Sequence, residues 1–209
     1  DAERTMATFL GSSSKLTLKD INEEQIASSK IVYLEGYLFD PPEAQEAFQK
    51  AAEYARAHNA KVAFTLSDAF CVERHRKKMK YFIENHVDIL FSNEGEIKSL
   101  YETDVLGDAY TFLKDVVEIG VVTQGYKGAA IIEKTTIHKI EAFSTNVLDT
   151  TGAGDFFAAG FLAGLSKNLD LIKAGVLGAA CSSEIISHYG GRPEKNLKEY
   201  IKNKAGLIL

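Results

Sequence analysis

Between Ile31 and Thr123 short apolar runs alternate with longer amphipathic stretches, and this alternation restricts the fold more than any other feature of the chain. Ile31-Val32-Tyr33-Leu34, Lys61 to Leu66, Asp88 to Phe91 and Gly120 to Thr123 read as buried strands. The spacing predicts helices over 42–58, 72–85, 94–101 and 108–118 between them, the first opened by Pro41-Pro42. Strand–helix alternation of this kind gives an α/β fold: a mainly parallel sheet with helices on both faces. Past Thr123 the pattern changes. Ala129 to Glu133 and Thr136 to Ile140 read as neighbouring strands, an antiparallel pair at one sheet edge. Helices are predicted from Ala153 onward, over 169–187 and over 194–204.

The 209 residues fit one compact domain. A net charge of −5 argues against nucleic acid as the main partner. No run approaches the ~18–20 apolar residues of a membrane span, and the N-terminus has no signal-like pattern. Cys71 and Cys181 lie in no metal-spaced motif, which suggests inert thiols in a reducing, cytoplasmic compartment. Cys71 and His75 have helical i,i+4 spacing without an evident third ligand, so the pair reads as structural. The basic run Arg74 to Lys78 is expected to be a solvated helix face.

The run Asp149-Thr150-Thr151-Gly152-Ala153-Gly154-Asp155 sets a glycine-rich turn at the mouth of an apolar helix. A helix N-terminus has unpaired N–H groups and a partial positive charge, so it attracts anions. Asp155 in the first turn would repel a phosphate, and it makes chemical sense there as a proton acceptor. An anion site plus an aspartate base is the minimum equipment for phosphoryl transfer to an alcohol. The plain alternative is a helix start, with Thr150 or Thr151 as N-cap and Asp155 favoured by the helix dipole.

The string from Asp149 through Phe156-Phe157-Ala158-Ala159-Gly160 resembles the C-terminal signature of the PfkB (ribokinase-like) family of carbohydrate and nucleoside kinases. That resemblance implies a ribokinase-like fold and a kinase using ATP and Mg²⁺, with K⁺ in some members. It makes Asp155 the catalytic base, and Gly152, Ala153 and Gly154 the anion hole. Asp149 and Thr151 become ligands of a monovalent cation. It covers almost all of this chain but only the C-terminal part of such an enzyme. The expectation is therefore a single kinase domain over 1–209, without the N-terminal strands and lid of the complete fold. Arg4-Thr5-Met6 is similar to a mid-chain strand of these kinases.

Ser92 to Glu96, Thr123 to Gly128 and the Asp149 to Asp155 turn all fall just after predicted strands, where ligands of open α/β sheets collect. Asn93 and Glu96 form a capping box on sequence grounds. The resemblance adds positioning of Mg²⁺, through water. Thr123, Gly125 and Gly128 mark a tight turn, to which the resemblance adds a nucleotide role. In Ser187-His188-Tyr189-Gly190-Gly191-Arg192-Pro193 the glycines suit a left-handed helix C-cap, while the resemblance puts Gly190 beside the nucleotide. Glu35-Gly36-Tyr37 leaves the first strand and is a candidate for the acceptor side. A P-loop, a Gly-x-Ser-x-Gly elbow and a dinucleotide fingerprint are all absent from the sequence.

Gly36 to Pro42, Leu66 to Val72 and Ile185 to His188 look like the bacterial adenosine kinase-like branch. The expected acceptor is a nucleoside hydroxymethyl group. A free sugar such as ribose, fructose or a keto-deoxy sugar acid is the rival, and a non-catalytic nucleotide-binding module the alternative of another class. For this piece alone the module reading stays open, since an incomplete sheet would leave an exposed edge and a poorly closed site. The oligomeric state is open, with a homodimer allowed.

Overall fold

A computed structural model describes residues 7 and 9–208. The expectation for Arg4-Thr5-Met6 lies outside the described residues. The chain divides into two compact units: Thr8–Val122 with Ile132–Thr136, and Thr123–Ile131 with Ile137–Leu209.

The strands are β1 (Ile31–Glu35), β2 (Lys61–Thr65), β3 (Ile89–Asn93), β4 (Ile119–Thr123), β5 (Ala129–Glu133) and β6 (Thr136–Ile140), ordered along the sheet as in the chain. β1 and β2 pair in parallel from Ile31 opposite Lys61 to Glu35 opposite Thr65. β2 and β3 pair in parallel from Ala63 opposite Ile89. The antiparallel pairing lies among β4–β6. Four of the five β3 residues are buried, as a strand covered on both faces requires.

In the first unit the helices are α1 (Glu23–Ala27), α2 (Pro42–Ala57), α3 (Ala69–His86), α4 (Glu94–Tyr101) and α5 (Leu106–Val116). Helix α2 buries Ala44, Ala47, Phe48, Ala51, Ala52 and Ala55, the stripe of a helix with one apolar face. Phe39 anchors the core there, its ring 5.8 Å from Phe48, 5.6 Å from Phe64 and 5.7 Å from Phe82. Helix α3 starts three residues earlier than expected from the sequence. Its Asp68 cap accepts from the N–H groups of Phe70 at 2.8 Å and Cys71 at 3.1 Å.

The basic run on α3 is not simply a solvated face. Arg74 pairs with Asp40 at 3.0 Å, Arg76 with Glu102 at 3.0 Å, and Lys78 donates to Gln45 at 2.9 Å. These side chains tie α3 to its neighbours, which hydropathy along one helix cannot reveal.

In the second unit the helices are α6 (Ala153–Ser166), α7 (Leu171–Ile185) and α8 (Leu197–Ala205). Helices α6 and α7 meet backbone to backbone. A Cβ on Gly160 would lie 2.9 Å from Gly178 Cα, and one on Gly164 the same distance from Ala174 Cα. A Cβ on Gly178 would lie 2.7 Å from the Phe157 carbonyl. Helix α8 begins later than the sequence suggests. The Glu194 and Lys195 N–H groups point instead to Glu184 Oε1, at 3.2 and 3.1 Å, and Asn196 caps the helix.

Candidate active site

The turn before α6 is organised by one carboxylate. Asp149 Oδ1 accepts from the Thr151 N–H at 2.9 Å and the Thr151 hydroxyl at 2.7 Å. Asp149 Oδ2 accepts from the Gly190 N–H at 3.0 Å. The helix therefore starts without a threonine cap: its N-cap is Gly152, at φ 80°, with no side-chain cap bond. This corrects the plain reading of Thr150 or Thr151 as N-cap, because Asp149 has already taken the Thr151 hydroxyl. The left-handed conformation at Gly152 is one that a side chain would strain.

Of the expected anion hole, the Ala153 N–H is drawn to Thr150 O at 3.2 Å, inside the turn. The Gly152 carbonyl accepts from Phe156 at 2.9 Å and closes the first helical turn. Open space surrounds Gly154, where an added Cβ would meet nothing within 4 Å. Asp155 is exposed in that first turn. Among the described residues no hydrogen bond or ion pair holds its carboxylate. A proton acceptor needs such an open lone pair.

A cavity of about 820 Å³ opens beside the turn, within the second unit. Its walls bring together Thr123, Gly125 and Gly128 with Ala153 and Gly154. Apolar side chains complete it, among them Phe143, Val147, Phe157 and Ile186. Gly152, Asp149, Thr151, Asp155 and Gly190 are not among its lining residues. The volume and the mostly apolar walls with a few polar groups are those of a small-molecule site.

The Thr123–Gly128 turn is built for close approach. The Gln124 N–H donates to Gly128 O at 2.8 Å. At Gly128, φ is 88° and a Cβ would fall 1.9 Å from Ile140 O. Its glycine is thus required by packing before any ligand is considered.

Gly190 does not cap a helix. α7 ends at Ile185 with Ile186 as its cap, four residues earlier, so the left-handed Gly190 (φ 93°) belongs to the loop and presents its N–H to Asp149. This corrects the C-cap reading. The sequence also gave no sign of Glu184, a fully buried carboxylate on α7. It faces His188 at 3.3 Å. Burial lowers the His188 pKa, but the Tyr189 carbonyl and the Glu184 and Glu194 carboxylates outweigh it, so the imidazole is held above its ordinary value.

In the first unit Asn93 and Glu96 form the expected capping box. The Asn93 N–H donates to Glu96 Oε2 at 2.9 Å, and the Glu96 N–H to Asn93 Oδ1 at 2.8 Å. Asn93 Nδ2 also reaches Glu96 Oε1, at 2.6 Å. With both carboxylate oxygens so engaged, the pair suits a hydrated ion held through water better than direct ligation.

Cys71 and His75 do acquire a third neighbour, contrary to the sequence reading. Asp40 lies 2.7 Å from His75 Nε2, and the three donor groups fall within 4.8 Å of one another. Asp40 also carries Arg74, and Cys71 Sγ donates to Gly36 O at 3.1 Å, so internal partners serve every member of the cluster. Burial pushes both cysteine thiols up to about 11, which keeps them protonated.

Residues 1–197 match the pfkB family carbohydrate kinase description. The chain is 30% identical over 207 residues to the adenosine kinase of Schizosaccharomyces pombe, covering 90% of this chain and 60% of that protein. Among solved structures it is similar to a probable sugar kinase protein from Rhizobium etli CFN 42. The TM-score is 0.91 and the identity 38%, over 93% of this chain and 59% of that one. It is also similar to the adenosine kinase from Sinorhizobium meliloti, with a TM-score of 0.89 and 36% identity over 92% and 59% of the two chains. The chain thus spans about 60% of the length of these relatives. With the fold, the glycine turn and the family description in agreement, this chain belongs to the pfkB family of carbohydrate kinases.

Proposed function

We propose that the protein transfers the γ-phosphoryl group of ATP to a hydroxymethyl group of a nucleoside. The observation that carries this reading is the shared cavity, lined by Thr123, Gly125 and Gly128 together with Ala153 and Gly154, at the start of the helix that bears an unengaged Asp155. In this reading the Asp155 carboxylate takes the proton of the acceptor hydroxyl. The oxygen attacks the γ-phosphorus in line, the bond to the β-phosphate oxygen breaks, and ADP leaves. The amides of Gly152 and Gly154 meet the charge on the transferring group, and the Ala153 N–H joins them by leaving Thr150 O. The apolar wall of Phe143, Val147 and Phe157 suits a nucleobase.

Mg²⁺, held through water by Asn93 and Glu96, would offset phosphate charge when bound. Asp149 and the Thr151 hydroxyl offer hard oxygens of the kind K⁺ takes. The acceptor favoured here is a nucleoside, in line with the similarity to adenosine kinases. The similarity to the Rhizobium etli protein supports a second reading, a free sugar acceptor at the same site.

The test is a phosphorylation screen by mass spectrometry on the full-length protein. It uses Mg-ATP, a panel of nucleosides and free sugars, and Asp155→Asn as control. A nucleoside gaining phosphate only with Asp155 intact is the expected result. A sugar doing so keeps the mechanism and moves the acceptor. ATP binding without transfer to any acceptor overturns the proposal in favour of a nucleotide-binding module.

A further inference from the structure

The loop between α7 and α8 is held at its base by one side chain. Glu184, on the last turn of α7, has no exposed surface. Its Oε1 accepts from the Glu194 and Lys195 N–H groups at the far end of the loop, at 3.2 and 3.1 Å. At the near end His188 Nε2 stands 3.3 Å from the same carboxylate. Residues 189–193 bulge out between these points, and the Gly190 N–H at the bulge reaches Asp149 Oδ2 at 3.0 Å. Asp149 in turn holds Thr151 through Oδ1. A second tie runs parallel to this one: the Leu148 N–H donates to Ile186 O at 2.9 Å. All these residues lie in the second unit.

We propose that Glu184 is a positioning residue for phosphoryl transfer: it clasps both ends of the 187–196 loop so that Gly190 fixes Asp149, and through Thr151 fixes the turn that carries the anion-binding amides. The inference rests on the function proposed above for that turn. A buried carboxyl group without partners is costly, and here three groups converge on it instead. Glu184 is fully buried and is not among the residues lining the cavity. It acts on the reaction only through the loop, and a misplacement of about 1 Å at a reacting centre can cost on the order of a hundredfold in rate.

The test compares Glu184→Ala, Glu184→Gln and His188→Gln in the full-length protein, by hydrogen exchange and by steady-state kinetics. Glutamine keeps a carbonyl oxygen that can accept the two N–H bonds, and alanine keeps none. The expected exchange is faster at the amides of Gly190 and Thr151 in Glu184→Ala, by about tenfold for the loss of two such bonds. In Glu184→Gln it should stay within about threefold of the parent protein. His188→Gln should fall between the parent and Glu184→Ala. In the kinetics, kcat should fall in the same order while KM for ATP changes by less than about threefold, because the turn acts mainly on the transition state.

If the loop amides loosen in Glu184→Ala while Thr151 and kcat stay as in the parent protein, Glu184 is merely structural and the proposal fails. If Glu184→Ala does not fold, His188→Gln decides: exchange at Thr151 unchanged there overturns the proposal, and faster exchange supports it. The exchange arm needs no turnover. A parent protein that transfers no phosphate would therefore count against the proposed function and not against the clasp.

Discussion

Asp149 and Gly190, 41 positions apart in the chain, are joined by a hydrogen bond of 3.0 Å from the Gly190 N–H to Asp149 Oδ2. The same carboxylate organises Thr151 through its other oxygen, so it has two jobs and needs two acceptors. Asn at 149 supplies one acceptor and one donor. Asp149→Asn is expected to fold but to lose one of the two connections, lowering kcat by about tenfold or more. Activity equal to that of the parent protein would show that the bridge has no role in turnover.

Asp155→Asn removes the proposed proton acceptor while keeping shape and a hydrogen-bonding group. A positioned base contributes about 10²–10⁴-fold. Turnover should drop by that order, with ATP affinity and unfolding midpoint unchanged, as read by calorimetry and thermal melts.

Two glycines of the turn should respond in opposite ways. Gly154→Ala places a methyl in open space within a helix, so stability should hold or rise by up to about 1 kcal/mol. The same methyl narrows the approach of a phosphate to the backbone, so kcat should fall. Gly152→Ala forces a side chain into φ 80°, and about 1–2 kcal/mol of stability should go with it. Chemical denaturation and steady-state kinetics on the two variants separate the effects.

Gly128→Ala is the severe case. Its Cβ would fall 1.9 Å from the Ile140 carbonyl at a backbone φ of 88°. Either the turn or β6 must move, and a loss of more than about 3 kcal/mol is expected. A variant that melts like the parent protein would contradict the described turn.

His188 carries a testable pH dependence. Its folded-state pKa is raised above the ordinary value of 6.5. The stability it contributes is therefore fully present below that ordinary value and is lost as pH rises through the folded value. Denaturant unfolding of the parent protein and of His188→Gln across about pH 5.5 to 8.5 should show the parent's advantage shrinking with pH. Parallel curves would mean that the pair with Glu184 is not charged.

The sheet was readable because each parallel strand announces itself as a short apolar run, as Ile89-Leu90-Phe91 does. The capping box at Asn93 and Glu96 was readable because its partners are three residues apart. The Gly128 turn was legible for a similar local reason. The bond from Gly190 to Asp149 was not, since nothing in either neighbourhood names the other. Glu184 was hidden for the opposite reason: an acidic residue near a helix end reads as solvated unless the groups that bury it are known. Asp40 escaped notice beside Cys71 and His75 because it arrives from another segment, more than thirty residues away. Local periodicity reports which face is apolar, and it is silent about which distant polar group a fold will bring to a given carboxylate.

Helices α6 and α7 touch through bare backbone at Gly160, Gly164 and Gly178. Long side chains at a helix interface can switch rotamers and absorb a shift; glycines have nothing to yield. The two helices therefore have little slack between them, with the Gly152 turn at the start of α6 and Glu184 on the last turn of α7. A single bulky replacement at Gly160 or Gly178 would have to push the two helices apart, carrying the turn before α6 away from the end of α7.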